Sequence, residues 1–496
     1  MLRAPPQERD DVIMERLMRS GLFVIVSALA LTGAAQAEDP IIFTSHAGES
    51  VEAYQGAFQA PENRNDPDSR MIEIGYVRFP ALEGASGSPI VYLAGGPGGS
   101  GTGTARRQRF DLFMQMRRHG DVIAFDQRGT GLSSNDLPLC ISSVAVSETE
   151  PTTDAAYANA YREAALECRA FWHEQGVAIE GYTTQQSVQD ISDLRAHLGA
   201  EKVTLWGISY GTHLAMAALK SIPEEIDRAI LASAEGLDQT VKLPSQTESY
   251  IERLQQAVNA QPAAADAYPD IAGMMRRVHA RLEAEPVMIE VAVRDSGARP
   301  YLLQRRDLQQ MTSGLIADPG SAAIALAMYT ELDQAGSANI AAALIGRFYD
   351  LGEPISLSPM STAMDMASGI TDARLVQVEA EAQNALLGAY LNFPMPQLNR
   401  LWDGLDLGDG FRTAPQGDTP ILLLSGTLDG RTYPGSQRAA LAGMSDVDWV
   451  IVENAGHNLY MTTPDVHTVM HAFMEGSSVD GERIVAPLPD LTDLPF

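Results

Sequence analysis

Residues 203–219 read VTLWGISYGTHLAMAAL: a short apolar run, a pentapeptide with glycine at both ends, and a helical continuation. The run 203–206 predicts a buried strand, and 212–219 predicts a helix. A turn this tight between a strand and a helix crowds the backbone, which is why glycine stands on both sides of the serine. The sequence therefore predicts that Ser209 stands on a strained turn and presents its hydroxyl at the edge of a sheet.

Short apolar runs bounded by turn residues recur on both sides of this stretch. Helical stretches lie between several of them, and this alternation favours a mostly parallel sheet covered by helices on both faces. The predicted fold class is therefore α/β. The predicted strands are 71–79, 89–94, 121–125, 203–206, 229–232, 421–424 and 449–452, and the predicted helices among them are 154–175, 187–198 and 212–221.

The alternation of strands and helices breaks between Glu235 and Pro420. This stretch of roughly 180 residues is too long for a loop and is largely helical in pattern. We interpret it as a helical cap inserted late in the sheet, above the strand ends where α/β proteins bind ligands. The predicted domains are a signal peptide at 1–37, the first part of the core at 38–236, the cap at 237–414, and the second part of the core with a C-terminal tail at 415–496.

The N-terminus has the pattern of a secretory signal. An apolar stretch at 21–31 follows Arg16 and Arg19 and precedes a small-residue cleavage site ending at Ala37. Cleavage there would leave Glu38 as the mature start, and an uncleaved N-terminal anchor is the alternative. We expect a periplasmic or secreted protein with no membrane attachment after signal cleavage.

Charge and cysteine content narrow the choice of partners and compartment. The net charge of -29 argues against nucleic acid, because phosphate binding needs clustered Lys and Arg. Only two cysteines occur, Cys140 and Cys168. In an oxidising compartment they are expected to form one disulfide that contributes about 3 kcal/mol, and the alternative is two buried free thiols.

A serine nucleophile needs a base, and the base needs an orienting acid. Asp429 follows the predicted strand 421–424, and His457 follows the predicted strand 449–452. The order serine, acid, histidine is the one expected for a nucleophile on a strand-to-helix turn in an α/β-hydrolase. The alternatives are that Asp429 is an ordinary turn aspartate and that His457 is a structural loop histidine.

A glycine cluster, GGPGGSG at residues 95–101, directly follows the predicted strand 89–94. Glycine lets backbone N–H groups approach an oxyanion closely, and we assign these donors as Tyr210 and Gly96, since Pro97 has no N–H. The cluster lacks the Gly-Lys-Ser/Thr ending of a phosphate loop. No metal ligand set is predicted either.

Taken together, the glycine-rich and triad motifs are similar to those of one peptidase family. They resemble the prolyl aminopeptidase and tripeptidyl aminopeptidase family of α/β-hydrolase serine peptidases, over roughly residues 70 to 236 and 415 to 475, with the cap unmatched. The resemblance implies a serine exopeptidase without a cofactor that acts on the free N-terminus of short peptides. The motifs are GGPGG at 95–99, DQRGTGLS at 126–133, GISYGT at 207–212, GTLD at 426–429 and GH at 456–457.

Two positions depart from that family's pattern. Ala94 stands where many relatives have histidine, and the segment GRTYP at 430–434 is more basic than the usual turn after the acid. An aminopeptidase must also recognise a protonated α-amine, for which Glu235 is the leading candidate. The alternative is that Glu235 is a solvated surface residue. We expect Asp126 and Arg128 to pair with each other and brace the glycine cluster.

Two rival functions remain at this point. One is an exported esterase or lactonase with the same triad, because one fold hosts many chemistries. The other is a non-catalytic binding protein that kept the fold. Sensitivity to acetylation of the substrate amine separates the aminopeptidase from the esterase, and labelling of Ser209 by a fluorophosphonate separates an enzyme from a binding protein.

Overall fold

The computed structural model of the protein describes residues 38–134, 137–293 and 297–494. The predicted signal peptide at 1–37 lies outside the described residues. The strands, numbered in chain order, are β1 Asp39–Thr44, β2 Ser50–Pro61, β3 Met71–Phe79, β4 Ile90–Leu93, β5 Val122–Phe125, β6 Cys140–Ile141, β7 Val203–Ile208, β8 Ile226–Ala232, β9 Val287–Val293, β10 Gly297–Leu303, β11 Ser356–Leu357, β12 Gln416–Gly417, β13 Ile421–Gly426, β14 Gly443–Met444, β15 Val447–Glu453 and β16 Arg483–Val485.

The described residues form a central sheet of ten strands in the order β1-β2-β3-β5-β4-β7-β8-β13-β15-β16. Neighbours from β5 to β16 run parallel, whereas β1, β2 and β3 form an antiparallel edge that pairs with β5. Strands β4, β5, β7 and β13 are buried along their whole length. The predicted α/β class and mostly parallel sheet are confirmed, while strands β1 and β2 were not predicted.

Helices cover both faces of this sheet. In β7, Leu205 packs into one buried cluster and the next residue, Trp206, packs into the other. Alternate residues of a strand point to opposite faces, so neither face of the sheet is left to water. The helices are α1 Gly101–Ala105, α2 Phe110–Met116, α3 Asp154–Glu174, α4 Thr184–His197, α5 Tyr210–Ser221, α6 Pro244–Asn259, α7 Pro262–Ala267, α8 Ile271–Ala284, α9 Arg305–Leu315, α10 Pro319–Thr330, α11 Asn339–Phe348, α12 Pro359–Ser368, α13 Asp372–Ala382, α14 Met395–Leu398, α15 Gly408–Arg412, α16 Pro434–Ala440 and α17 Pro464–Met474.

The chain leaves the sheet after β8 and returns to it at β13. These two strands are direct parallel neighbours, with Ala232 opposite Leu424. The residues between them form helices α6 to α15 and an antiparallel hairpin of β9 and β10, which the helical pattern did not predict. Many of these residues share a hydrophobic cluster of their own, which includes Tyr250, Met275 and Leu326.

A disulfide joins Cys140 in β6 to Cys168 in α3, with 5.6 Å between their Cα atoms. Strand β6 also pairs with β11, which belongs to the segment between β8 and β13. The bridge therefore ties α3 of the first half of the chain to a strand that contacts this later segment. Among the described residues, none of the helices has the length and apolarity that crossing a bilayer requires.

Candidate active site

Ser209 occupies the turn between β7 and α5 with φ 54° and ψ -131°. A Cβ at Gly211 would lie 2.0 Å from the carbonyl oxygen of Leu93, and a Cβ at Gly207 would lie 2.8 Å from that of Gly211. Any larger residue would collide with backbone at both positions. Ser209 is partly exposed although its neighbours Ile208 and Tyr210 are buried, so the strained turn presents this side chain alone.

The glycine cluster lies directly against the serine. A Cβ at Gly95 would lie 3.0 Å from Ser209 Cβ and 3.6 Å from its Oγ. Gly96 has a φ of +124°, a conformation that favours glycine. Tyr210 begins α5, so its N–H has no acceptor within that helix. These positions are compatible with the prediction that the N–H groups of Tyr210 and Gly96 are the oxyanion donors.

Asp429 and His457 form a hydrogen-bonded pair, with 3.0 Å between His457 Nδ1 and Asp429 Oδ2. Asp429 is fully buried and accepts hydrogen bonds from the N–H groups of Arg431 and Thr432 and from the Thr432 hydroxyl, at 2.8, 2.8 and 2.7 Å. Burial alone would raise the pKa of the Asp429 carboxyl, but His457 and Thr432 hold it below its usual value. An ionised Asp429 fixes the orientation of the imidazole, and Thr432 is a positioning residue that the sequence analysis missed.

The end of strand β8 holds the loops of Ser209 and His457 together. The carbonyl of Ala232 accepts a hydrogen bond from Ser209 N–H at 3.1 Å, and Ser233 Oγ donates to the carbonyl of His457 at 2.9 Å. Within the described residues no hydrogen bond joins Ser209 Oγ to His457. Hydrogen bonds between a nucleophile and its base are often longer before substrate binds. The contacts of both loops with the end of β8 support the predicted pairing of Ser209 with His457.

The glycine cluster is braced by Asp126, but not through Arg128. Asp126 accepts hydrogen bonds from the hydroxyls of Ser100 and Thr102 at 2.7 and 2.6 Å. Arg128 instead forms a buried ion pair with Asp190, 2.7 Å from Nε to Oδ2. The expected pairing of Asp126 with Arg128 is therefore wrong, because a better matched carboxylate on α4 takes the guanidinium.

A cavity of about 860 Å³ lies beside these loops, in the range of about 300 to 1,000 Å³ usual for ligand sites. Gly96 and Arg431 are among its lining residues, each next to an element of the site just described. Ser209 and His457 do not themselves line it. Aromatic side chains make up part of its wall, namely Tyr157, Tyr161, Tyr390 and Phe393.

Glu235 lines this cavity and is 6% exposed, so the alternative of a solvated surface residue is wrong. Its backbone N–H donates to Thr212 Oγ1 at 2.8 Å, and that threonine hydroxyl in turn donates to the carbonyl of Ser209 at 2.6 Å. Lys242 Nζ lies 2.6 Å from Glu235 Oε2. Burial alone would raise the pKa of Glu235, but Lys242 brings it below the usual value, so an ionised Glu235 already has a cation beside it.

Asp365 on α12 is a second carboxyl of the cavity wall that the sequence analysis missed. It is partly exposed, and its side chain has no hydrogen bond or ion pair with any described residue. Burial, and then the charge of Glu235, raise the pKa of Asp365 to about 7. Helix α12 also packs on the glycine cluster, where a Cβ at Gly98 would lie 3.6 Å from Ser361 Cβ. The helix that carries this unpaired carboxyl therefore lies against the glycine cluster.

A family model for the alpha/beta hydrolase fold matches residues 88–304. The serine protease Hip1 of Mycobacterium tuberculosis is 29% identical over 187 residues, which cover 36% of this chain and 35% of that protein. The tripeptidyl aminopeptidase of Streptomyces lividans is 28% identical over 152 residues, covering 29% of this chain and 28% of that one. The proline iminopeptidase of Arabidopsis thaliana is 28% identical over 145 residues, covering 29% and 26%.

These matches confirm the predicted α/β-hydrolase fold and the predicted resemblance to serine peptidases that have it. They also agree with the prediction of an enzyme of the serine hydrolase class. The matched segments span about a third or less of the length of these curated relatives. A solved epoxide hydrolase from an endophytic Streptomyces aligns at 16% identity and a TM-score of 0.37, over 86% of this chain and 98% of its own, a similarity too low to carry an argument.

Proposed function

We propose that this protein is an exported serine aminopeptidase that cleaves residues from the free N-terminus of short peptides. The observation that carries the proposal is the joint placement, beside one cavity, of the Ser209 turn, the Asp429–His457 pair and two carboxyls, of which Asp365 has no partner among the described residues. The similarity to peptidases supports peptide substrates over other acyl compounds. The number of residues released in each cycle is left open by these features.

In the proposed reaction, Ser209 Oγ attacks the carbonyl carbon of the scissile peptide bond. His457 accepts the serine proton and then donates it to the leaving amine, so that an acyl-enzyme forms and the remainder of the peptide departs. Water repeats the same steps to release the acyl product. The N–H groups of Tyr210 and Gly96 are the proposed donors to the oxyanion of each tetrahedral intermediate.

The protonated α-amine of the substrate is proposed to bind between Glu235 and Asp365. Glu235 alone is a weak candidate, because Lys242 already balances its charge. Asp365 adds the missing negative charge, since its carboxyl has no partner among the described residues. A substrate ammonium would form charge-assisted hydrogen bonds there and would favour the ionised form of Asp365.

Export is part of the same proposal. The disulfide between Cys140 and Cys168 supports it, because disulfides persist in oxidising compartments and are rare in the cytosol. The signal-like pattern at 1–37 points the same way. Fractionation of cells that produce the full chain tests it: we expect protein starting at Glu38 outside the cytoplasm, and full-length protein in the cytoplasm would contradict export.

The activity is tested with purified protein on a panel of arylamides that carry one to three residues. Each arylamide is compared with its N-acetylated form and with simple p-nitrophenyl esters. We expect turnover of free-amine arylamides, loss of turnover on acetylation, and no turnover by Ser209→Ala. Turnover of the esters alone would favour the esterase alternative, with the triad retained and the peptidase proposal overturned.

A further inference from the structure

Arg431 is a cation of the cavity wall that has no carboxylate partner. Its Nη1 donates to the carbonyl and hydroxyl oxygens of Ser313, at 2.9 and 2.6 Å. No Asp or Glu among the described residues lies within the 4.0 Å that defines an ion pair with it. A guanidinium has five N–H donors, so several remain for another acceptor.

The other two cations of the cavity wall, Lys242 and Arg306, are less available to a ligand. Lys242 is held by Glu235 and by the carbonyl of Thr240. Arg306 donates to the carbonyl of Thr152 and to Gln304 Oε1, and its guanidinium lies 4.5 Å above the ring of Tyr157. Arg306 also lacks a carboxylate partner among the described residues, but it is only 5% exposed, whereas Arg431 is partly exposed. Arg431 is therefore the member of this set that an anionic ligand can reach.

The position of Arg431 is fixed relative to the reacting centre. Its backbone N–H donates to Asp429 Oδ1 at 2.8 Å, and its side chain is anchored by Ser313 at the end of α9. Both anchors reduce the freedom that the side chain would lose on binding a ligand. A guanidinium held in this way suits bidentate recognition of a carboxylate.

Arg431 and Asp365 line the same cavity without forming an ion pair, and they carry opposite charge once Asp365 is ionised. They are close enough for the charge of Arg431 to act on Asp365. Two unpaired groups of opposite sign match a ligand that carries both an ammonium and a carboxylate. A peptide with Asp or Glu near its free N-terminus has that combination.

We propose that Arg431 selects peptides with an acidic side chain on the N-terminal side of the scissile bond. This inference rests on the proposed aminopeptidase function and names the substrate class of that site. Long-range attraction cannot produce such a preference, because the chain has a net charge of -29. The selectivity must come from local contact with the guanidinium.

The test compares arylamides of one to three residues in which Glu and Gln replace each other at each position in turn. We expect kcat/KM to favour Glu over Gln by about tenfold at one position, as a charge-assisted hydrogen bond would give. In Arg431→Gln this ratio should fall to about one, and Arg431→Lys should keep part of it. Arg118→Gln removes one exposed positive charge in the turn that follows α2, outside the cavity wall, and should keep the full ratio.

Equal kcat/KM for Glu and Gln at every position in the wild-type protein would overturn the proposal. Equal losses for both substrates in Arg431→Gln would also overturn it, since the residue would then serve only the Asp429 loop. If no arylamide is cleaved, the aminopeptidase proposal fails separately. The Arg431 proposal is then decided by p-nitrophenyl esters whose acyl chain ends in a carboxylate or in its methyl ester, with the same expected ratios.

Discussion

The charged residues in the loops at the strand ends differ from two charged residues in the cavity wall. The former have partners within the fold, and the latter do not have them among the described residues. At the strand ends, buried Asp429 accepts hydrogen bonds from Thr432 and from its partner His457. In the cavity wall, Asp365 and Arg431 lack ion-pair partners among the described residues. A carboxylate with all its partners in the fold needs no ligand, whereas a charged group without a partner can be completed by one. On the proposed function, the first group of residues performs the chemistry and the second group selects the substrate.

Asp429→Asn should produce the largest effect on activity. An amide at this position cannot hold the imidazole in the required tautomer, so kcat should fall about 10⁴-fold. Steady-state kinetics on the best substrate of the panel measures the loss. Asp446→Asn, which changes an exposed aspartate, is the matched control and should keep wild-type kcat. Retention of more than a tenth of the activity by Asp429→Asn would remove the distinction between the two regions.

Replacing both cysteines with serine should lower the free energy of unfolding by about 3 kcal/mol. The bridge closes a loop with a sequence separation of 28, and its loss frees the unfolded chain. Urea unfolding of the double variant, beside reduced and oxidised wild-type protein, measures the change. Reduced wild-type protein should match the variant, and an unchanged midpoint in both would mean that the bridge adds no stability.

Asp365→Asn should weaken the use of free-amine substrates by about 10- to 100-fold in kcat/KM, because a charged hydrogen-bond partner is lost. Hydrolysis of an ester without an amine should fall much less. Asp372→Asn, on an exposed aspartate of the same inserted segment, is the control. Equal losses on both substrates would place Asp365 with the residues that serve the chemistry.

The pH dependence should show the smallest effect. Burial and the charge of Glu235 raise the pKa of Asp365 to about 7. Its negative charge is thus gained as pH rises through that value, and kcat/KM for a free-amine substrate should rise with it. An ester without an amine provides the reference profile, which contains only the titrations that both substrates share. The extra rise should be absent in Asp365→Asn, and its persistence there would assign it to another group.

The site residues at the strand ends could be predicted because backbone geometry restricts their sequence. Gly211 must be glycine because Leu93 O occupies the space of a Cβ, and such restrictions leave a readable motif around Ser209. Asp429 follows the buried strand β13 and His457 follows the partly buried strand β15, and the apolar runs of both strands are equally readable. The mostly parallel sheet was predicted for the same reason.

The cavity wall could not be predicted in the same way. Asp365 lies on a helix that is far in sequence from every motif. It is a candidate because its side chain has no partner among the described residues, and only the fold reveals that. The pairing of Arg128 with Asp190 instead of Asp126 shows the same limit, since it depends on how α4 packs. Strand β2 was missed because its residues alternate between more and less buried positions and give no continuous apolar run. Strand β1 is short and mostly exposed, with Phe43 as its one buried residue, and it has no clear strand pattern.

The proposed catalytic triad is tested most directly by covalent labelling with an active-site fluorophosphonate, read by intact mass and peptide mapping. We expect one adduct, located on Ser209, that forms rapidly in the wild-type protein and far more slowly in Asp429→Asn and His457→Ala. Ser209→Ala should not be labelled. Failure to label folded wild-type protein, or labelling at Ser209 that is equally fast without Asp429 and His457, would contradict the proposed catalytic triad.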